Sequence, residues 1–129
     1  MKHQHPEYNI QVMICQYLNI AYPNVMFMSD TIANIKLAIP QQVRNKAIQK
    51  QGFKCPDLII FKPNSIYHGL FIELKATNIY KKDGMLLKNE HVEGQAKTIE
   101  GLNQLGYCAK FAIGFDEAKE VIDWYMRIK

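Results

Sequence analysis

The sequence predicts an α/β fold in which helices flank a central mixed sheet of four strands. Four short apolar stretches have the length and composition of strands. Stretches with helical periodicity separate most of them, giving the predicted order α-β-α-β-β-α-β-α. The length of 129 residues fits one domain spanning residues 1–129 and leaves little room for a second.

The N-terminal half contains two predicted helices and one strand. Residues 6–21 form the first helix, because Pro6 suits a first turn and apolar residues recur at helical spacing. That apolar stripe consists of Ile10, Ile14, Tyr17 and Ala21. Residues 25–29 read as a strand, and residues 40–51 form a helix that Pro40 starts and Gly52 ends.

Three more strands and two more helices follow. Residues 57–62 and 69–75 are predicted strands joined by a turn, and residues 77–89 a polar, mobile loop. Residues 90–105 form a helix that ends at Gly106. Its predicted apolar face contains Val92, Ala96, Ile99 and Leu102. Residues 108–115 form the fourth strand, and Asp116 caps a last helix. The inward face of that helix contains Ala118, Val121, Ile122 and Tyr125.

Composition excludes several classes of protein. No apolar run reaches the ~18–20 residues of a membrane helix, and the polar N-terminus does not resemble a signal peptide. The three cysteines form no CxxC pair, which favours reduced thiols and an intracellular location, in the cytoplasm or at a nucleoid. A formal charge of +4 is compatible with nucleic-acid binding without being diagnostic of it.

The stretch KCPDLIIFKPNSIYHGLFIELK places acids where the sheet should be most apolar. Asp57 opens one predicted strand and Glu73 lies near the end of the next, two residues before Lys75. A buried carboxylate is costly unless a partner neutralises it, and a divalent cation is such a partner. Lys75 shares a face with Glu73 and can orient water or stabilise phosphate charge. These parts suit metal-assisted phosphodiester hydrolysis.

A plainer interpretation of the same pattern remains open. Asp57 can be a turn residue after Pro56, and Glu73 with Lys75 can form a solvated ladder on an edge strand. The apolar runs LIIF and LFI weigh against this interpretation, because strands buried on both faces leave little room for exposed charges.

Four segments, CPDLIIF, HGLFIELK, GQAKTIEGLNQLGY and FDEAKEVIDWY, together resemble the VRR-NUC family of the PD-(D/E)XK nuclease superfamily. The resemblance covers nearly the whole chain. It implies a restriction-endonuclease-like core, dependence on Mg²⁺ or Mn²⁺, and DNA as the substrate. Stand-alone viral or phage-type members resemble homodimers that act on four-way (Holliday) junctions, which favours branched DNA here.

The resemblance also assigns roles to individual residues. It implies that Asp57 and Glu73 bind the metal together with the backbone carbonyl of Leu74, and that Lys75 is the catalytic lysine. Gln95 matches the helix glutamine that supports the site. Glu7 matches a first-helix glutamate that approaches the metal, as a catalytic residue or ligand.

Two segments depart from the family pattern. Cys55 stands where members often carry a glycine before the PD, and IPQQVRN replaces a PNGG-like stretch. These changes leave the catalytic set intact but put the DNA-facing edge, and hence substrate preference, in question.

Other candidates have plain alternatives. Glu7 could instead stabilise its helix through the dipole, by ~0.3–1 kcal/mol, and Gln95 could be a surface residue. His3 and His5 are expected to be solvated more often than metal-bound. His68 is expected in a turn or at a phosphate, and His91 near Gln95.

Seven basic residues flank the predicted catalytic strands and are candidates for contacts to the DNA backbone, although solvation alone explains such charges too. They are Arg44, Lys46, Lys50, Lys54, Lys81, Lys82 and Lys88. Tyr80 and residues 85–87 could enter a junction or pack on a partner subunit. Trp124 and Tyr125 are expected in the core or a dimer interface.

The sequence thus predicts a metal-dependent, structure-selective DNA endonuclease that acts as a homodimer. The alternatives are an inactive nucleic-acid-binding module with a nuclease fold, a less selective nickase or flap-type nuclease, and a sequence-specific restriction-type enzyme. The intact set of Asp57, Glu73 and Lys75 weighs against the inactive module, and the short chain weighs against a separate sequence-reading element.

Overall fold

A computed structural model describes residues 6–29 and 36–129 of the protein. The elements follow the predicted order. The helices are α1 (Pro6–Ala21), α2 (Ile39–Ala47), α3 (Glu90–Gln104) and α4 (Gly114–Arg127). The strands are β1 (Phe27–Ser29), β2 (Leu58–Ile60), β3 (Leu70–Lys75) and β4 (Cys108–Ile113). The candidate metal-binding histidines His3 and His5 lie outside the described residues.

The four strands form one mixed sheet in the order β1-β2-β3-β4. The first three strands pair antiparallel, and β3 pairs parallel with β4. Leu58 pairs with Ile72 and Ile60 with Leu70, so alternate apolar residues of β2 and β3 share one face. The predicted mixed α/β sheet is therefore confirmed.

Helices α1 and α4 cover this apolar face. Five strand residues on it have no exposed surface: Leu58, Ile60, Leu70, Ile72 and Leu74. Ile14 and Leu18 of α1 and Ile122 of α4 join them in one fully buried cluster. Tyr125 is also fully buried, and its hydroxyl donates a 2.6 Å hydrogen bond to the Lys62 carbonyl. The core placement predicted for Tyr125 is correct.

Several predicted helix details are wrong. Ala21 is exposed, whereas Ile14 is buried and Ile10 and Tyr17 pack against the core as predicted. Gln11 and Leu18 are also buried and were not predicted. Asp116 does not cap α4, because Ile113 holds that position and Asp116 lies within the first turn. An acid there still interacts favourably with the helix dipole.

Helix α3 lies on the opposite face of the sheet, where Gln95 hydrogen-bonds to Glu73. The Asn89 side chain caps its N-terminus by accepting the His91 and Val92 N–H groups. Its buried residues are Val92 and Gln95. The inward face therefore includes a polar residue, which the apolar periodicity did not predict. The helix stops before Gly106, whose positive φ of 96° suits glycine.

Two segments differ from the prediction: helix α2 is shorter, and the predicted loop contains a turn. Helix α2 ends at Ala47, short of the predicted boundary at residue 51, and none of its residues is buried. The predicted loop contains a small turn in which Tyr80 bridges Leu86 and Ile79 is buried. Within residues 6–29 and 36–129, no helix is long and apolar enough to cross a bilayer.

Candidate active site

The two central acids are Asp57, which immediately precedes β2, and Glu73, which lies near the end of β3. The Asp57 N–H donates to Glu73 Oε2 at 3.2 Å, and the Leu74 N–H donates to Asp57 Oδ2 at 2.8 Å. Each carboxylate thus accepts a backbone hydrogen bond from the other strand's segment. This reciprocal arrangement follows from the β2–β3 register, which sets Leu58 opposite Ile72. Asp57 and Glu73 are brought together, as the sequence predicted.

Both acids are harder to ionise than ordinary carboxyls. Burial raises the pKa of Glu73 to about 8, with a further increase from the neighbouring charge of Asp57. Burial also raises the pKa of Asp57, and the charge of Glu7 adds to that increase. Two adjacent acids that resist ionisation form a place where bound positive charge would be stabilised.

Lys75 is the nearby cation that β3 supplies. It lies two residues after Glu73 on the same face of the strand and is only 6% exposed. Its charge lowers the pKa of both Asp57 and Glu73 and so opposes the effect of burial. A buried lysine near the two carboxyls matches the prediction that Asp57, Glu73 and Lys75 lie together.

Helix α3 contributes Gln95 and His91. Gln95 Nε2 donates a short hydrogen bond to Glu73 Oε1 and lies 3.1 Å from His91 Nε2. These contacts hold the Gln95 side chain against Glu73, the position beside the acids that the resemblance implied. Gln95 is 6% exposed, and its Oε1 is a buried acceptor with no hydrogen-bond partner.

Helix α1 reaches the site through Glu7 and Gln11. Glu7 Oε2 accepts the Ala76 N–H at 3.3 Å, which joins the first turn of α1 to the end of β3. Gln11 donates a short hydrogen bond to Ser29 Oγ, and Ser29 donates to the Asp57 carbonyl at 2.7 Å. Sequence reasoning missed Gln11 and Ser29. One signal was available for Gln11, a polar residue one helical turn after Glu7 on the inward face.

A cleft of about 250 Å³ opens at the acid pair, and neither Lys75 nor Ser29 is among the residues that line it. The lining residues are Glu7, Gln11, Lys54, Cys55, Asp57, Glu73, His91 and Gln95. The cleft therefore collects groups from α1, α3 and the ends of two strands. Cys55 forms part of its wall.

The donor set fits a small divalent cation. Two carboxylates and the unpartnered Gln95 Oε1 are oxygen donors, which Mg²⁺ and Mn²⁺ prefer. The Leu74 N–H points at Asp57, and a strand residue's C=O points the same way as its N–H, so the Leu74 carbonyl also faces that side. Across residues 6–29 and 36–129, no three His, Cys, Asp or Glu side chains could hold a metal by themselves. Mg²⁺ commonly binds one or two carboxylates and takes water and phosphate oxygens for the remainder.

The predicted DNA-contacting cations divide into two groups. Lys54 lines the cleft directly. The other six are exposed and do not line it: Arg44, Lys46, Lys50, Lys81, Lys82 and Lys88. Their exposure is compatible with either solvation or contacts to a polyanion.

Of the two remaining histidines, His91 belongs to the cleft and His68 does not. The pKa of His91 is lowered by burial and by the charges of Lys75 and Lys54. His68 precedes β3 at the end away from Glu73, and its ring packs against Tyr107 with centroids 5.4 Å apart. The turn position predicted for His68 is correct, and the packing explains it. Trp124 is half-buried, with the Lys110 ammonium 4.6 Å from its ring centre.

Comparison with known proteins adds one solved structure. No protein-family model matches the sequence, and no curated protein matches it. A solved structure described as a "VRR_NUC domain protein" is 24% identical, with 98% of this chain and 93% of that chain covered. The TM-score is 0.60. At this identity the likeness concerns the fold, and it confirms the architecture that the motifs predicted. The chain thus shares its fold with a VRR_NUC domain protein.

Proposed function

We propose that this protein is a divalent-metal-dependent endonuclease that hydrolyses phosphodiester bonds in DNA. The observation that carries the proposal is the reciprocal pairing of Asp57 and Glu73 beside the buried ammonium of Lys75. A buried acid pair with raised pKa values costs the metal-free protein stability, and a cation would offset that cost. The shared fold with a VRR_NUC domain protein supports the same proposal.

In this proposal Asp57, Glu73 and the Leu74 carbonyl hold Mg²⁺ or Mn²⁺. Such an ion lowers the pKa of a water molecule and offsets negative charge on the scissile phosphate. Gln95 holds Glu73 in position through its amide N–H, and its free Oε1 can accept a hydrogen bond from water in the cleft. Glu7 fixes α1 against the end of β3 through the Ala76 N–H.

Lys75 acts on the substrate side of the reaction. Its ammonium can donate hydrogen bonds both to the attacking water and to a phosphate oxygen, which orients the two for in-line attack. Burial strengthens these interactions because little bulk water screens them. The proposal therefore gives Lys75 a larger effect on the rate of cleavage than on DNA affinity.

We further propose branched DNA as the preferred substrate and a homodimer as the active form. A subunit of 15.0 kDa with one cleft cuts one strand, and two-fold symmetry would present two clefts to symmetry-related strands of a junction. The exposed basic residues would then contact backbone phosphates, which would make binding strongly dependent on salt.

The test compares a synthetic four-way junction with a linear duplex of the same sequence. Each is incubated with Mg²⁺, Mn²⁺ or EDTA, and products are resolved on a denaturing gel. Metal-dependent cutting of the junction alone supports the whole proposal. Cutting of flaps and duplexes as well supports a less selective nuclease, and binding without cutting identifies a non-catalytic module.

Two variants locate the chemistry. Glu73→Gln keeps the size of the side chain and should abolish cleavage while leaving junction binding within about twofold. Glu100→Gln makes the same change at an exposed position of α3 and should cleave as the wild type does. If Glu73→Gln cuts at the wild-type rate, the proposed site is wrong. Sedimentation with and without junction DNA tests the homodimer.

A further inference from the structure

Lys54 is held against helix α3 just before the chain enters the site. Its backbone N–H donates to Thr98 Oγ1 at 3.1 Å, and Thr98 lies one helical turn after Gly94. Three residues later in the chain, Asp57 begins the acid pair. The backbone around Lys54 is therefore tied to α3, so its side chain starts from a fixed point beside the cleft.

Gly94 leaves the space through which that side chain runs. A Cβ atom at position 94 would lie 2.5 Å from Lys54 Cε and 3.0 Å from Cδ, far closer than carbon atoms pack. It would lie 3.7 Å from the Nζ atom. Glycine in the middle of a helix lowers its stability relative to alanine, so a glycine here has a local cost. The passage of Lys54 across α3 is a physical reason for it.

The ammonium of Lys54 is available to a ligand. Lys54 lines both the cleft and an adjoining pocket that contains Glu90, Glu93 and Lys97. Within the described part of the chain, the ion pair closer than 4 Å is Lys119 with Asp123, so Lys54 has no carboxylate at that range. The charge of Lys54 acts on another residue of the cleft, His91, whose pKa it helps to lower.

We propose that Lys54 binds a phosphate oxygen of the DNA at the scissile bond, from the α3 side of the cleft, and that Gly94 is its positioning residue. This inference rests on the proposed nuclease function and extends it to a second cation at the reacting phosphate. Lys75 belongs to β3 and acts on the acid pair through its charge, whereas Lys54 precedes β2 and lines the cleft beside α3. All seven basic candidates are exposed, and Lys54 is the one among them that lines the cleft.

The decisive variant is Gly94→Ala, with Gly101→Ala as its matched control. Both change a glycine of α3 to alanine, but a Cβ at position 101 meets nothing within 4 Å. We expect Gly94→Ala to melt no lower than the wild type, because helix propensity rises and the displaced atoms belong to a flexible side chain. We expect its single-turnover cleavage rate to fall at least about tenfold, as for loss of one charged donor at a reacting phosphate. Gly101→Ala should cleave at the wild-type rate.

A double-mutant cycle separates this mechanism from a general effect on the helix. Lys54→Met removes the charge but keeps a long side chain, and it should slow cleavage as much as Gly94→Ala does. If Gly94 acts through Lys54, adding Gly94→Ala to Lys54→Met should cause no further loss. Additive losses in the double variant would overturn the positioning role of Gly94.

The position of the ammonium can be read without any nuclease activity. NMR titration of His91 should give a higher pKa in Gly94→Ala and Lys54→Met than in the wild type or Gly101→Ala, because a nearby positive charge is moved or removed. An unchanged His91 pKa in Lys54→Met overturns the placement of Lys54. A raised His91 pKa with an unchanged cleavage rate overturns its contact with the scissile phosphate and leaves the proposed function standing. If the wild type itself does not cleave DNA with any metal, the proposed function fails and this inference with it.

Discussion

Metal binding should release a proton from the acid pair, and the amount follows from the burial of Glu73. Its pKa is raised to about 8, so at pH 7 most of the metal-free protein carries that proton. A divalent cation needs the ionised form, and binding at pH 7 should therefore release most of a proton from Glu73. The release should fall as pH rises through that pKa and become small about one pH unit above it.

The same equilibrium weakens the apparent affinity for metal at low pH. Relative to the fully ionised site, the apparent Kd should be higher at pH 7, on the order of tenfold. Affinity should therefore rise with pH between 7 and 9 and level off above the pKa of Glu73. The sign is fixed because the proton and the cation compete for the same carboxylate.

Isothermal titration calorimetry measures both quantities. Mn²⁺ is titrated into metal-free protein in two buffers with different ionisation enthalpies, and the difference in heat gives the number of protons released. Glu100→Gln should behave as the wild type, whereas Glu73→Gln should lose the proton release and most of the affinity. Binding at pH 7 without proton release would refute the argument, because Glu73 would then be ionised despite its burial.

Three further predictions concern stability. In the metal-free protein the pKa of the Glu73 carboxyl is higher in the folded state than in the unfolded state, so the folded state holds the proton more tightly. The free energy of unfolding should therefore fall by a few kcal/mol as pH rises from about 4.5 towards 8. Chemical denaturation measures this change, and a flat profile would contradict it. Ile72→Ala removes a fully buried side chain and should cost about 2–5 kcal/mol in urea unfolding, whereas a loss below about 1 kcal/mol would mean that the site is not packed. Gly106→Ala should cost about 1–2 kcal/mol in the same assay, because φ is 96° and the new Cβ would lie 2.6 Å from the His68 ring; Gly101→Ala should not destabilise.

The sheet could be predicted from sequence because its signals are local. The apolar runs of β2 and β3 and the glycine after α3 can each be recognised from a few neighbouring residues. The errors arose where tertiary contacts decide. Ala21 fits the helical spacing but is exposed, and Asp116 looks like a cap although the helix already begins at Gly114.

The acidic centre could be predicted for a different reason. Asp57, Glu73 and Lys75 stand out because charge interrupts apolar strands, and that anomaly is visible without any structure. Gln11, Ser29 and Gly94 carry no such signal. Their partners are the Asp57 carbonyl, reached through Ser29, and the side chain of Lys54. The spacing from Glu7 places Gln11 on the inward face of α1, but it does not predict these partners.

The crossed hydrogen bonds between Asp57, Glu73 and the strand backbone have a practical consequence for mutagenesis. Beyond the Leu58–Ile72 pair, these side-chain bonds take over from the β-ladder in fastening the two strands. Truncating Asp57 to alanine would therefore weaken this end of the β2–β3 pairing as well as remove a proposed metal ligand. Asparagine keeps an acceptor for the Leu74 amide, so it is the better choice for an inert yet correctly folded protein with which to trap uncut DNA.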